Sequence, residues 1–306
     1  MNVLFVGLGS IGRRHLKNLC HVCKERNINV KIDALRSSDN KLPEEIEILI
    51  NNQIRKIEDN ILYDLVFITN PTVFHYDTIN QLKDTCKFFF IEKPIFHDDN
   101  YSLDKLGLNK NNAYVAAPIR HSKTYKKLKE ILRDINCYCT RIICSSYLPN
   151  WRTNVDYRDS YSAKRSLGGG VSIDLIHEID YMVDLFGFPL EIYNFKGKCS
   201  NLEIDSEDIS VYIAKYKDKL CEVHLDYFGR EYMRICEVFT ESGTVIADFG
   251  KKIIKLPNGN IIDCSCDDND NYINEINYTL ELIDKNIDNI NEPKRALKVL
   301  SLTLGR

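Results

Sequence analysis

The 306-residue chain has one tryptophan, no apolar run long enough to span a bilayer, and no charged n-region leading into an apolar h-region. Those absences exclude a helical membrane span and a secretory leader from the expectations. A dominant charge is missing too. Lys and Arg number 41 against 44 Asp and Glu, and the net charge of −3 gives no long-range attraction to nucleic acid or to an anionic membrane. Internal repeats are absent, and only the Asp/Asn-rich turn near 267–271 approaches low complexity. Metal-ligand spacing is lacking as well. Cys20-x-x-Cys23 has no partner pair, Cys264-Ser265-Cys266 is spaced wrongly, and Tyr272 stands where a calcium loop starting at Asp267 would need glycine. No metal is expected. The 11 cysteines are odd in number and scattered, often inside strand-like segments, which fits reduced thiols of a cytoplasmic protein rather than a disulfide framework. The expected partner is a small molecule, with no nucleic acid and no membrane.

What is present begins at the first residues. An apolar run, 3–6, goes straight into Gly7-Leu8-Gly9-Ser10-Ile11-Gly12, and a helical segment follows over 11–24. In that strand–turn–helix setting G-x-G-x-x-G is a dinucleotide site. Gly7 permits the tight turn, Gly9 lets the backbone approach a pyrophosphate, and Gly12 lets helix and strand pack closely. The helix start at Ser10 and Ile11 offers N–H groups and a partial positive charge to phosphates.

Alternation continues through the first part. Strands are expected at 3–6, 30–35, 65–69, 88–91 and 113–117, with helices at 11–24, 43–51, 73–83 and 100–106 between them. The strands are nearly continuous apolar runs, as a parallel sheet covered on both faces requires. This predicts an α/β fold with an N-terminal Rossmann, doubly wound parallel sheet over 1–118. From 119 to 306 the pattern changes. A helix at 123–133 leads to a strand at 140–147 and a polar loop at 149–167. Gly168-Gly169-Gly170 then opens an amphipathic helix at 172–186. Strand runs follow at 190–196, 209–216, 220–227, 233–240, 244–248 and 252–256, broken by turn chemistry such as Asn258-Gly259. Helices at 271–286 and 293–302 close the chain, the last with Pro293 at a favoured first position. The second part therefore reads as an α+β substrate and oligomerisation domain on a mostly antiparallel open sheet.

Candidate chemistry lies at strand ends. Asp33 is about 20 residues past the glycines, the distance at which an acid contacts the adenosine ribose. If the strand instead runs through Leu35, its tip carries Arg36, Ser37 and Ser38, which suit a 2′-phosphate. The balance favours NADP(H), with NAD(H) the alternative. After the strand at 65–69, Pro71 fits a first helical turn, and Asn70 either caps it or touches cofactor, with His75 following. In Glu92-Lys93-Pro94, proline biases Lys93 towards extended geometry, so its side chain can project and stabilise a developing alkoxide. In the late helix Asp174 and His177 are i,i+3 neighbours sharing a face with Tyr181. His177 is expected to exchange the substrate hydroxyl proton, with Asp174 orienting the ring or the sugar.

These segments together resemble the Gfo/Idh/MocA oxidoreductases. The glycine turn running into Arg13-Arg14-His15, the Glu92-Lys93-Pro94 step, and Gly168-Gly169-Gly170 leading to Asp174-Leu175-Ile176-His177-Glu178-Ile179-Asp180 occur in that family's order and cover most of the chain. The resemblance implies an NAD(P)-dependent enzyme acting on CH–OH groups, with Lys93 and His177 catalytic and Asp174 beside them. Some members separate acid and histidine by four positions, where this chain has three. It implies a sugar or nucleotide-sugar substrate, with cell-surface carbohydrate biosynthesis as the setting, and homodimers or homotetramers built on the C-terminal sheet. Trp151 and Arg152 are expected to reach the cofactor along with Asn70, Pro71, His75, Glu92 and Lys93. Arg120, Tyr157 and Arg158 are expected to join Lys93, Asp174 and His177 at the substrate, the last two through a phosphate or carboxylate. Two alternatives stand beside this reading: an NADP(H)-binding sensor that catalyses nothing, and a reductase of the same fold for a non-sugar substrate.

Overall fold

Apolar strands set out the first layer of the computed structural model, which describes residues 1–38, 40–57, 61–152, 155–285 and 287–306. The expected helix end at Asn286, and Thr153 and Asn154 of the expected polar loop, lie outside the described residues. The chain divides into two units, 1–118 with 272–298, and 119–271 with 299–306.

In the first unit β1 (Asn2–Val6), α1 (Ser10–Glu25), β2 (Lys31–Leu35), α2 (Glu44–Glu47), β3 (Asn52–Ile54), β4 (Leu65–Ile68), α3 (His75–Leu82), β5 (Phe89–Ile91), α4 (Leu103–Leu106) and β6 (Ala113–Val115) follow one another. All six strands pair in parallel in the order β3-β2-β1-β4-β5-β6. That order reverses between β1 and β4, the switch point at which such sheets take ligands. Every residue of β4 is buried, and Phe5 stacks on Phe67 at 4.4 Å between ring centres. The edge strand β3 was not expected, because Asn52-Gln53-Ile54 carries no apolar run. Pairing with β2 makes it a strand, Asp33 opposite Asn52.

The second unit contains α5 (Lys123–Ile131), β7 (Cys137–Tyr147), α6 (Val171–Asp174), α7 (His177–Phe186), β8 (Glu191–Gly197), β9 (Ile209–Lys215), β10 (Leu220–Asp226), β11 (Phe228–Thr240), β12 (Gly243–Asp248), β13 (Ile253–Lys255) and β14 (Ile261–Asp263). Its eight strands run β14-β13-β12-β11-β7-β10-β9-β8, antiparallel except for the parallel pair β7–β10. One face is buried through Tyr212, Val223, Ile142, Cys236, Ala247 and Ile254. The other carries Phe195, Val211, His224, Ile143 and Ile235 in one cross-strand row, none of them fully buried.

Two expectations need correction. A single cut at 118 misses the return of the chain to the first unit: α8 (Asp270–Asp284) sends Ile276 and Leu280 into the core of the parallel sheet, and Tyr114 donates to Glu275 there at 2.9 Å. The last helix, α9 (Pro293–Thr303), ends in the second unit, where the Thr303 carbonyl accepts from Tyr212. The single helix expected over 172–186 is two, because Leu175 adopts φ −98°, ψ 27° and ends α6 before α7 begins.

Candidate active site

The glycine turn has the geometry its spacing predicts. Gly7 lies at φ +87°, and a Cβ there would sit 2.9 Å from the Asn70 backbone. A Cβ on Gly12 would sit 2.4 Å from the Gly7 carbonyl, so β1 and α1 meet without room for a side chain. Thr69 on the neighbouring strand end donates to that same carbonyl at 2.6 Å and fixes the turn. Gly9 differs: a Cβ there would meet nothing within 4 Å. Gly9 also caps α1 without a side-chain hydrogen bond, and the first turn from Ser10 and Ile11 holds no acid. An open turn, uncapped N–H groups and a positive helix end fit the pyrophosphate of a dinucleotide.

At the tip of β2 the two readings separate. Asp33 is 4% exposed and accepts from Asn52 at 2.7 Å and Tyr63 at 3.0 Å, so its carboxylate is committed inside the sheet. Arg36 and Ser37 stand at the tip instead. The Arg36 guanidinium donates to Gln53, and Arg55 donates to the carbonyls of Arg36 and Ser38, both at 2.8 Å, shaping this edge.

The Glu92-Lys93-Pro94 step is anchored from behind. Glu92 Oε1 pairs with His15 Nε2 at 2.5 Å, and its Oε2 accepts from the Lys93 backbone N–H at 3.1 Å. Burial raises the Glu92 pKa, but His15 and Lys93 outweigh it and hold the carboxyl below its ordinary range. Lys93 is half-buried, at the end of β5. Glu92 itself is nearly closed off, so it positions the lysine rather than presenting a surface. The loop after β4 behaves alike. His75 is fully buried, one ring nitrogen 3.1 Å from the Ile95 carbonyl and the other 3.0 Å from that of Asn70, and burial lowers its pKa. It was expected to contact cofactor, but its enclosed ring instead holds Asn70, whose amide donates to Thr78 at 2.8 Å. Pro71 precedes a short 3₁₀ turn at φ −57°.

In the second unit Asp174 and His177 line one cavity of about 430 Å³ with Asn150, Trp151, Arg230 and Tyr232. Asp174 closes α6, and both its oxygens accept from tyrosines, Tyr161 on one and Tyr227, at 2.5 Å, on the other. Burial first and the carboxylate second raise both phenol pKa values well above 10, so the tyrosines keep their protons and remain donors. Tyr181 does not share this face as expected. It is fully buried near Tyr125 and Phe249, because the break at Leu175 re-aims α7.

The glycines before α6 serve packing. A Cβ on Gly169 would lie 2.0 Å from the Tyr161 carbonyl, so only glycine admits the 161–164 turn that brings Tyr161 to Asp174. Trp151 donates to Ser146 at 3.1 Å and sets its ring edge-on to Tyr227, while Arg152 lies over the Tyr161 ring at 5.6 Å.

Three expected substrate contacts are placed elsewhere. Arg120 is 3% exposed, its guanidinium held by Asp180 and Asp184. Arg158 pairs with Asp156 and Glu203, and the Tyr157 hydroxyl accepts from the Glu203 backbone; neither residue lines the His177 cavity. Sequence reasoning missed Tyr227, Arg230 and Tyr232. For Arg230 a signal existed, since Gly229 interrupts a strand pattern, a mark of a bulge. Among the described residues no cluster of metal-ligating side chains occurs, and no helix is long and apolar enough to cross a membrane.

The fold and these two constellations define a class, the oxidoreductases with an NAD-binding Rossmann fold. Residues 1–104 match the model of the oxidoreductase family GFO_IDH_MocA, described by its NAD-binding Rossmann fold. Over those residues the chain matches the oxidoreductase family that its motifs resemble. It is 23% identical over 266 residues, 79% of this chain and 72% of the relative, to the uncharacterized oxidoreductase YrbE of Bacillus subtilis (strain 168). Among solved structures it is similar to a levoglucosan dehydrogenase in complex with NADH and levoglucosan (TM-score 0.82, 14% identity, 100% of this chain and 95% of that one). It is also similar to the UDP-N-acetylglucosamine 3-dehydrogenase GnnA of Acidithiobacillus ferrooxidans (TM-score 0.77, 16% identity, 99% and 95%). A third likeness is to myo-inositol 2-dehydrogenase of Lactobacillus plantarum (TM-score 0.76, 18% identity, 99% and 95%).

Proposed function

We propose that this chain is an NAD(P)-dependent dehydrogenase of a sugar or nucleotide sugar, acting at one hydroxyl or keto carbon. The observation that carries the reading is the second-unit cavity, in which His177 stands beside Asp174 in a volume suited to a sugar. A bound nicotinamide dinucleotide supplies the hydride acceptor or donor. Gly7, Gly9, Gly12, Ser10 and Ile11 would hold its pyrophosphate, and Arg36 with Ser37 a 2′-phosphate, which favours NADP(H) over NAD(H). Asn70, Pro71, Trp151 and Arg152 would border the rest of it.

His177 takes the proton of the substrate hydroxyl as general base. Lys93 donates a hydrogen bond to the substrate oxygen and stabilises the charge that develops there. Asp174, clamped by Tyr161 and Tyr227, orients the sugar or the His177 ring without itself moving. The test is His177→Ala assayed by nicotinamide absorbance with NADP and NAD against glucose, myo-inositol and UDP-N-acetylglucosamine. Turnover is expected to fall roughly 10²–10⁴-fold. Near-normal turnover in the variant removes His177 from the mechanism, and no redox change of bound cofactor with any of these compounds favours the sensor.

We further propose a homodimer or homotetramer through the open face of the eight-stranded sheet. There Phe195 is 72% and Tyr193 55% exposed, beside the partly exposed Val211 and Ile213. Sedimentation of the native protein at the mass of one chain would dismiss this assembly.

A further inference from the structure

The cavity that holds His177 contains two arginines, and their situations are opposite. Arg234 is neutralised: its Nε lies 2.6 Å and its Nη2 3.2 Å from the two oxygens of Glu178, a fully buried carboxylate. Arg230 is not. Among the described residues no carboxylate pairs with it, and its guanidinium lies over the Tyr147 ring at 3.7 Å. Stacking fixes the plane of the guanidinium while leaving its edge N–H groups directed outward from the ring.

That placement is built by the backbone. Between Phe228 and Met233 the register of β11 on β7 jumps, the six residues from Phe228 to Met233 standing opposite the three from Ser145 to Tyr147. Asp226, 3% exposed, pins the bulge by accepting from the backbone N–H groups of Phe228 at 3.0 Å and Gly229 at 2.7 Å. The bulge presses so closely on β7 that a Cβ at Gly229 would lie 1.8 Å from Ser145 Oγ. Bulges re-aim side chains beside active sites, and this one turns Arg230 and Tyr232 to the cavity.

We infer that Arg230 anchors an oxyanion carried by the substrate, a carboxylate or a phosphate group, and thus that this dehydrogenase takes acidic rather than neutral sugars. A planar fork without a protein counter-charge, in the cavity of the catalytic histidine, is the arrangement that binds carboxylate and phosphate oxygens. The inference rests on the reading of that cavity as the sugar site, and deepens it.

Trp151, the one tryptophan of the chain, lines the same cavity, so its fluorescence reports occupancy without any redox step. The full-length protein is titrated with glucose, glucuronate, glucose 6-phosphate and UDP-glucose. At least one of the three anions is expected to bind about tenfold or more tightly than glucose. Which of them does so separates a carboxylate, a phosphate monoester and a diphosphate. In Arg230→Gln, a substitution at an exposed position, that ratio shrinks to within about twofold, and Arg230→Lys restores part of it. Equal binding of glucose and all three anions overturns the inference, and so does a ratio undiminished in Arg230→Gln. Anion preference lost in Arg230→Gln, with no redox change of bound cofactor, sinks the dehydrogenase reading and leaves this one standing. Turnover of neutral sugar without anion preference does the reverse.

Discussion

Two glycine turns open two helices in this chain, and they solve opposite problems. The first leaves space: Gly9 faces open solvent, the helix behind it is uncapped, and no acid sits in its first turn. The second has none to give, since Gly169 lies under the 161–164 backbone and Gly170 against the Glu207 carboxyl. A glycine-rich entry to a helix is therefore a ligand cradle in one unit and a packing joint in the other. The difference is not in the glycines but in what the rest of the fold brings to them. Around the first turn polar groups await something from outside. Around the second they are satisfied by the chain itself, as the Tyr161–Asp174–Tyr227 clamp shows.

Substituting alanine in each turn sharpens the contrast most. Gly169→Ala is expected to destabilise the protein by on the order of 3 kcal/mol, because its Cβ would overlap a backbone carbonyl. Gly9→Ala, at φ −67°, should cost only about 0.5–1 kcal/mol, the change at a helix N-cap. It should nonetheless weaken NADPH binding about tenfold or more by filling the approach to the helix end. Urea denaturation and cofactor titration of both variants measure the pair of effects, and equal stability losses would erase the distinction.

The internal satisfaction of the second unit extends to charge. Arg120 is held by Asp180 and Asp184, while beside it burial, then the Lys126 and Arg120 charges, press the His121 pKa from the ordinary 6.5 to about 3. Below pH 6.5 the unfolded chain binds a proton at His121 that the folded chain refuses until about pH 3. Stability from this group is thus complete above 6.5 and falls as the pH drops, by about 1.4 kcal/mol per unit. Between pH 6.5 and 5 the expected loss is roughly 2 kcal/mol. His121→Gln should flatten the acid limb of the denaturation midpoint by that share; an unchanged limb would show that His121 protonates in the fold without cost.

The smallest effect is sought in the first unit. Arg36→Ala is expected to raise the KM for NADPH about tenfold relative to that for NADH, the loss of one charge-assisted contact to a 2′-phosphate. An unchanged ratio would mean that the tip of β2 does not read this phosphate.

How much of this was legible follows the same division. The first sheet could be read strand by strand, since a parallel sheet buried on both faces must write itself as unbroken apolar runs such as Leu65–Ile68. The strand β3 was missed because partners, not residues, make it. Motif and spacing singled out Lys93, Asp174 and His177, of which Asp174 and His177 line one cavity. Arg120 looked identical to a site residue in one dimension and proved to be a buried ion-pair centre, and Arg230, which nothing in the sequence reading singled out, lines the cavity.

By itself the sequence determined the two sheet types and the turn at Gly7-Leu8-Gly9-Ser10-Ile11-Gly12, because periodicity and backbone conformation are local properties. Only the tertiary structure decided which charges are quenched and which are left to a ligand. An arginine becomes an ion-pair centre or an anion anchor according to whether a carboxylate from a distant segment reaches it, and that is fixed by packing alone.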